Sequence, residues 1–306
     1  MHTSHPLSTG AWERVTETPC ARGEAPFWHA QEQRLYWLDR GNERLWRLHP
    51  PSQRLEHWDV GHGLASMAPC RSGSLLLGLA DGLYRAQSWG DVPQRLVATP
   101  HDPQRLQLSD GKCDPWGRFW AGCTGPARQG TDASVYALHP LRGGHASLQT
   151  ALSGVSGTLA LAWSADGRSL WRSDSARRQI SRHRLDNPGL WPPALGAAEP
   201  WASFGDQALG EPGGLAMDRQ GRVWVAMLHA GRVLCLSAEG QVLGDFPTPL
   251  QCPVMLCFGD PDLQTLYLTS ARAGRSDEEL ARYPGSGCIY RMRTDTPGLP
   301  CGFYWD

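Results

Sequence analysis

Lysine is nearly absent from this 306-residue chain: Lys112 is the only one, and every other permanently cationic side chain is arginine. Net charge is nearly absent too, at −1, so there is no basic footprint for nucleic acid or an anionic lipid surface. No long apolar run is present, which argues against a membrane-spanning helix. The opening MHTSHPLSTG has no apolar signal core, and a cytoplasmic location is the expectation. The nine cysteines (20, 70, 113, 123, 235, 252, 257, 288 and 301) contain no C-x-x-C pair. That speaks against a zinc site or a disulfide framework and for buried free thiols. A sustained 3.6-residue apolar stripe is missing as well, except that SDEELARYP (276–284) suits one surface helical turn. A small ligand, neutral or modestly charged, is the partner these absences leave open.

What is present is turn chemistry and repetition. Glycine at 35 and proline at 24 accompany 41% apolar residues, a globular, turn-rich composition. A turn followed by an apolar-aromatic strand recurs as EQRLYWLD (32–39), SGSLLLGL (72–79), WGRFWAGC (116–123), DGRSLWRS (166–173), QGRVWVAM (220–227) and LQTLYLTS (263–270). Anchored on Tyr36, Leu76, Trp120, Trp171, Trp224 and Tyr267, the copies are 40, 44, 51, 53 and 43 residues apart. Each is followed by a turn and another β-rich run. Six copies at this period predict an all-β chain folded as one six-bladed β-propeller over 1–306. The anchor aromatics are expected to pack blade on blade. Segment 1–22, through AWERVTE, and the C-terminal CGFYWD are the expected pieces of ring closure.

Four stretches carry a resemblance: Gly23-Glu24-Ala25-Pro26-Phe27-Trp28; Ser109-Asp110-Gly111-Lys112-Cys113-Asp114 with Gly117-Arg118; Pro212-Gly213-Gly214 with Asp218, Gly221 and Trp224-Val225-Ala226; and Cys257-Phe258-Gly259 with Thr269-Ser270-Ala271-Arg272. Together, and in this order, they resemble the regucalcin/gluconolactonase (SMP-30-like) family from about residue 23 to 293. The resemblance implies a divalent cation, Ca²⁺ or Zn²⁺, held at the channel mouth by a glutamate, an asparagine and an aspartate. A second asparagine would contact the substrate. Such a metal polarises a lactone carbonyl while a carboxylate activates water.

Set against that pattern, this chain keeps Glu24 and departs elsewhere. The asparagine position is Leu159, the aspartate position Gly213, the substrate asparagine Ser109, and an arginine two residues before it is Gln107. One carboxylate does not make the six to eight oxygen ligands that Ca²⁺ favours, so a lost or substituted metal site is expected. Glu211 and Asp110 are the neighbours that could rescue it, and His229 in the loop MLHAGR could line the channel as an acid or base. Asp110-Gly111-Lys112 reads as a turn. Asp39 and Asp174, at equivalent places in two repeats, read as a repeated structural contact.

The function expected from these residues is a divergent small-molecule hydrolase of lactonase ancestry, acting in the channel on a less polar cyclic ester than a sugar lactone. Glu24 would serve as acid or base among Gln107, Ser109, Leu159, Gly213 and His229. Two alternatives stay open: a non-catalytic propeller that binds a metabolite or a protein, and a metal-independent enzyme using Glu24 alone.

Overall fold

The computed structural model describes residues 9–61, 63–125, 130–139, 146–205 and 209–306. It contains six four-stranded antiparallel sheets, the six blades of a β-propeller. The blades begin with the strands Gly23–His29, Ser66–Pro69, Gln107–Cys113, Ala160–Trp163, Glu211–Met217 and Pro253–Gly259. These first strands contact one another around the ring and so line the axis. Their N-terminal ends meet at one mouth of the channel and their C-terminal ends at the other.

The repeat follows from burial. All six anchors lie on the second strands of the blades, such as Val223–Leu228, where every residue is buried. A strand sandwiched between neighbouring sheets has no solvent face, so its sequence is continuously apolar rather than alternating. Outermost strands such as Val242–Pro247 have no such cover, and there exposed and half-buried residues alternate. Trp224, fully buried, stacks on Phe246 at 5.2 Å and meets Phe258 edge-on at 6.2 Å. Its truncation to alanine would cost about 3–5 kcal/mol.

One turn recurs with its side chains. In blades three and five an aspartate (Asp114, Asp218) accepts from backbone N–H groups, from the arginine four residues on, and from the indole N–H of the tryptophan six residues on. Gly117 and Gly221 sit in these turns at φ of 75° and 77°, where a side chain would strain the backbone. The turn thus staples each hairpin to the aromatic that anchors its blade.

Closure is divided between the two chain ends. Glu13–Arg14 pairs antiparallel with Tyr290–Arg293 as the outer strand of blade six. The C-terminal segment, CGFYWD included, supplies no blade strand. It runs as a strap under the far end of the channel, with Leu299 N–H donating to Met217 O, Tyr304 N–H to Pro69 O and Trp305 N–H to Gly117 O. Tyr304 is fully buried and its hydroxyl donates to His139 O. The predicted helical turn forms over Asp277–Arg282, N-capped by Ser276. Among the described residues no helix is long and apolar enough to cross a membrane. All nine cysteines are free thiols, seven of them buried.

Candidate functional site

Four first strands break register at the same height. Pairing is interrupted between Glu24 and Phe27, Leu108 and Gly111, Pro212 and Leu215, and Pro253 and Leu256. In each, two residues face one on the neighbouring strand, which is a β-bulge, and a bulge bends the strand and re-aims its side chains. The residues singled out by sequence cluster here: Glu24 borders one bulge, Ser109 and Asp110 form the second, Gly213 lies in the third. Val254 and Met255 complete the set, and the Ala25 N–H points at Met255 Sδ at 3.1 Å.

Glu24 is 2% exposed, and both of its carboxylate oxygens are taken by guanidinium groups. Arg22 Nε donates to Oε1; Arg40 Nη1 donates to Oε2 at 3.2 Å. Arg40 Nη2 reaches on to Leu108 O at 2.9 Å, joining blade one to blade three beside Ser109. Neither arginine was singled out in the sequence. Arg22 carried a signal, since residues two apart on a strand share a face. Arg40 comes from the turn after the next strand and is visible only once blade one has its register. Asp39 holds this arrangement, accepting from the N–H groups of Ala21 and Arg22 at 3.2 Å each. Asp174 does the corresponding work in blade four, accepting from Ser156 Oγ and from Arg177 N–H. The equivalent aspartates are therefore alike in role.

The remaining positions form a wall and a rim. Leu159 packs on Leu228, Cys252, Val254 and Met255. Ser109 is buried, and its hydroxyl donates to Thr158 O. Gly213 is buried against backbone: a Cβ there would lie 2.6 Å from Val254 O and 3.0 Å from Ala226 O. Gln107 and His229 are exposed at the rim and Glu211 half-exposed. The His229 ring stands 3.0 Å from Arg275 Nη1 and 3.9 Å from Cys252 Sγ.

Asp110 lies deeper, 1% exposed, with Oδ2 accepting from Leu161 N–H at 3.1 Å and 3.9 Å from Lys112 Nζ. Burial pushes its carboxyl above the ordinary aspartate range, against the opposing pull of Lys112 and the Leu161 N–H; the Glu24 charge adds to the rise. Lys112 Nζ donates to Leu215 O at 2.7 Å.

These donors do not fit a divalent cation. The one carboxylate at the mouth is spent on two guanidiniums, the next position is hydrocarbon, and the third has no room for a side chain. Glu211 and Asp110 are not drawn to Glu24 as replacement ligands: one is at the rim, the other engaged by Leu161 and Lys112. Among the described residues, no group of three or more His, Cys, Asp or Glu side chains is placed to hold a metal ion.

Residues 22–272 match the family described as the SMP-30/Gluconolactonase/LRE-like region. The chain is 35% identical over 284 residues to a 6-deoxy-6-sulfogluconolactonase of Pseudomonas putida, covering 93% of this chain and 95% of that one. It is 28% identical over 277 residues to a regucalcin of Xenopus laevis, covering 88% and 90%. The crystal structure of a calcium-binding regucalcin from Agrobacterium tumefaciens superposes with a TM-score of 0.86 over 98% of both chains, at 22% identity.

Proposed function

The chain belongs to the SMP-30/gluconolactonase/LRE-like family, and on that premise we propose that it hydrolyses a lactone at the channel mouth, with guanidinium groups standing where the resemblance implies a metal. The observation that carries this reading is the Glu24 carboxylate held by Arg22 and Arg40. Hydrolysis builds negative charge on the carbonyl oxygen, and fixed N–H donors stabilise that charge as a Lewis acid would. Arg40, held by Glu24 and by Leu108 O, is such a fixed donor. A carboxylate has about four lone-pair sites, so Glu24, with two taken, can accept a proton from water. The water oxygen then attacks the acyl carbon, the ring C–O bond breaks, and Glu24 returns the proton to the departing ring oxygen. Lactone and water become a hydroxy acid.

Leu159, half-buried on the cluster of Leu228, Cys252, Val254 and Met255, gives the mouth an apolar side that suits a ring with one face less polar than a sugar's. Arg22, whose side chain is 27% exposed, commits only Nε to Glu24, and its two Nη groups take no hydrogen bond among the described residues. That free fork matches a carboxylate or sulfonate in bidentate geometry. The Pseudomonas putida relative, whose name denotes a 6-sulfo lactone, supports a ring that carries an acidic substituent.

Chelator-dialysed protein, assayed by pH-stat against neutral, carboxylated and sulfonated lactones, tests this. Turnover should persist without added metal and favour the acidic rings. Arg22→Met should raise KM for those alone, and Glu24→Gln should abolish turnover while binding remains. Activity that disappears on chelation and returns with one Ca²⁺ per chain would refute the guanidinium reading, and binding without turnover of any lactone would favour a non-catalytic propeller.

A further inference from the structure

The lower half of the channel contains a cavity of about 280 Å³ that the mouth chemistry does not use. Neither Glu24, Arg22, Arg40, Ser109, Leu159 nor Gly213 lines it. Its walls come from the C-terminal halves of the first strands, and its floor is the strap at Leu299–Gly302. At roughly 30 Å³ per water in the liquid, it has space for about nine waters, or for a molecule of similar heavy-atom count. Its lining is mostly apolar: Phe27, Met67, Trp163, Met217 and Phe258 all face it. The thiols Cys257 and Cys301 also line it, and burial raises both, Cys301 to about 12, so they present S–H rather than thiolate.

Two residues of the lining, Asp110 and Lys112, carry polar side chains, and Asp110 lies at the wall. Asp110 Oδ1 is fully buried and has no hydrogen-bond partner, although Oδ2 of the same carboxyl is bonded. A buried acceptor left unpaired is destabilising, and a bound donor would relieve that. Lys112, with 28% of its side chain exposed, uses one donor on Leu215 O, and an ammonium has three. An acceptor and a donor thus stand side by side at the edge of an otherwise apolar chamber.

We propose that this cavity is a second small-molecule site, separate from the mouth, and that it takes a compact alcohol or phenol. The hydroxyl donates to Asp110 Oδ1 and accepts from Lys112 Nζ, and the ring or alkyl body fills the space between Phe27, Met67 and Trp163. A hydroxyl both donates and accepts from one atom; a hydrocarbon of the same shape does neither.

Phenol and cyclohexanol are the probes, toluene and methylcyclohexane the controls, measured by calorimetry and ligand-observed NMR on the intact chain. One site per chain is expected, with the hydroxyl compounds binding at least about tenfold more tightly than the controls, the worth of one hydrogen bond to a charged group. Ala165→Phe, which adds a ring at an exposed position on the cavity's edge, should remove the site and leave lactone turnover unchanged. Asp110→Asn should weaken phenol and spare toluene. Because Lys112 is the only lysine, its labelling by an amine reagent should slow when phenol is bound, a readout that needs no variant. No saturable binding, equal affinity for phenol and toluene, or binding undiminished in Ala165→Phe would overturn the proposal. None of the overturning results is a turnover measurement, so the cavity and the mouth stand or fall separately.

Discussion

Replacing Asp218 by alanine should be among the most damaging single changes outside the aromatic core. Its carboxylate is 1% exposed and accepts four hydrogen bonds: from Gln220 N–H at 2.9 Å, Arg222 N–H at 3.0 Å, Arg222 Nε at 2.6 Å and Trp224 Nε1 at 3.0 Å. Alanine leaves the two turn N–H groups without their acceptor. It also strands a buried indole N–H and a guanidinium whose other acidic neighbour, Asp295, is 3.6 Å away. Breaking a buried ion pair from one side costs about 3–5 kcal/mol; we take about 4. Unfolding entropy near about 2.1 cal/mol/K per residue gives a chain of this length roughly 0.6 kcal/mol/K, so Tm should fall by about 6 °C. Asp218→Asn, which retains one acceptor oxygen, should lose about half of that. Asp114→Ala repeats the experiment in blade three, where Arg118 Nε and Trp120 Nε1 lie 2.5 and 2.8 Å from the carboxylate. Differential scanning calorimetry at constant pH and salt reads all three. If Asp218→Ala and Asp114→Ala both melt within 1 °C of the parent, the turn does not staple the blades.

Restoring the family's carboxylate by Gly213→Asp should not create a Ca²⁺ site: the new Cβ would press on Val254 O and Ala226 O. Overpacking of this kind costs about 1–3 kcal/mol; a lowered Tm with no calcium heat in calorimetry is expected, and a stoichiometric heat would contradict it. His183 is fully buried, and burial lowers its pKa, an effect Arg172 reinforces and the bond from Nδ1–H to Gly196 O opposes. The unfolded chain takes up a proton near pH 6.5 that the fold resists. This contribution to stability is therefore intact above about pH 6.5 and falls with pH below it, by up to about 1.4 kcal/mol per pH unit. His183→Gln should flatten the dependence of Tm on pH between 5 and 6.5, and an unchanged slope would assign that loss elsewhere. Trp224→Ala should destabilise by about 3–5 kcal/mol, measured as a shift of the urea midpoint; a shift under 1 kcal/mol would mean that blades five and six do not depend on this ring.

The blades were legible because each second strand is buried on both faces, so six copies of one apolar pattern stand out between turns. Asp114 and Asp218 stood in the matched motifs, but their role as acceptors for partners within six residues emerged only from the structure. The site was harder. Comparison with the family motif showed what Leu159, Gly213 and Ser109 had lost, but not what had come in their place. Arg40 meets Glu24 only through the register of two neighbouring strands, and the bulges that gather the site leave no mark in the sequence. The lower cavity is less legible still, because its lining comes from all six blades and the strap.

The strap also bears on the order in which the molecule can come apart. A ring closed at one seam can fray there, and the outer strand Glu13–Arg14 is just two residues long. Residues 297–306 bond to Pro69 and Arg71 in blade two, Gly117 in blade three, Met217 and Arg219 in blade five, and Leu263 in blade six. Lifting the short N-terminal strand therefore leaves these blades latched to one another from below. Separation has to begin with release of the tail, which makes the last ten residues the gatekeeper of unfolding for the whole ring.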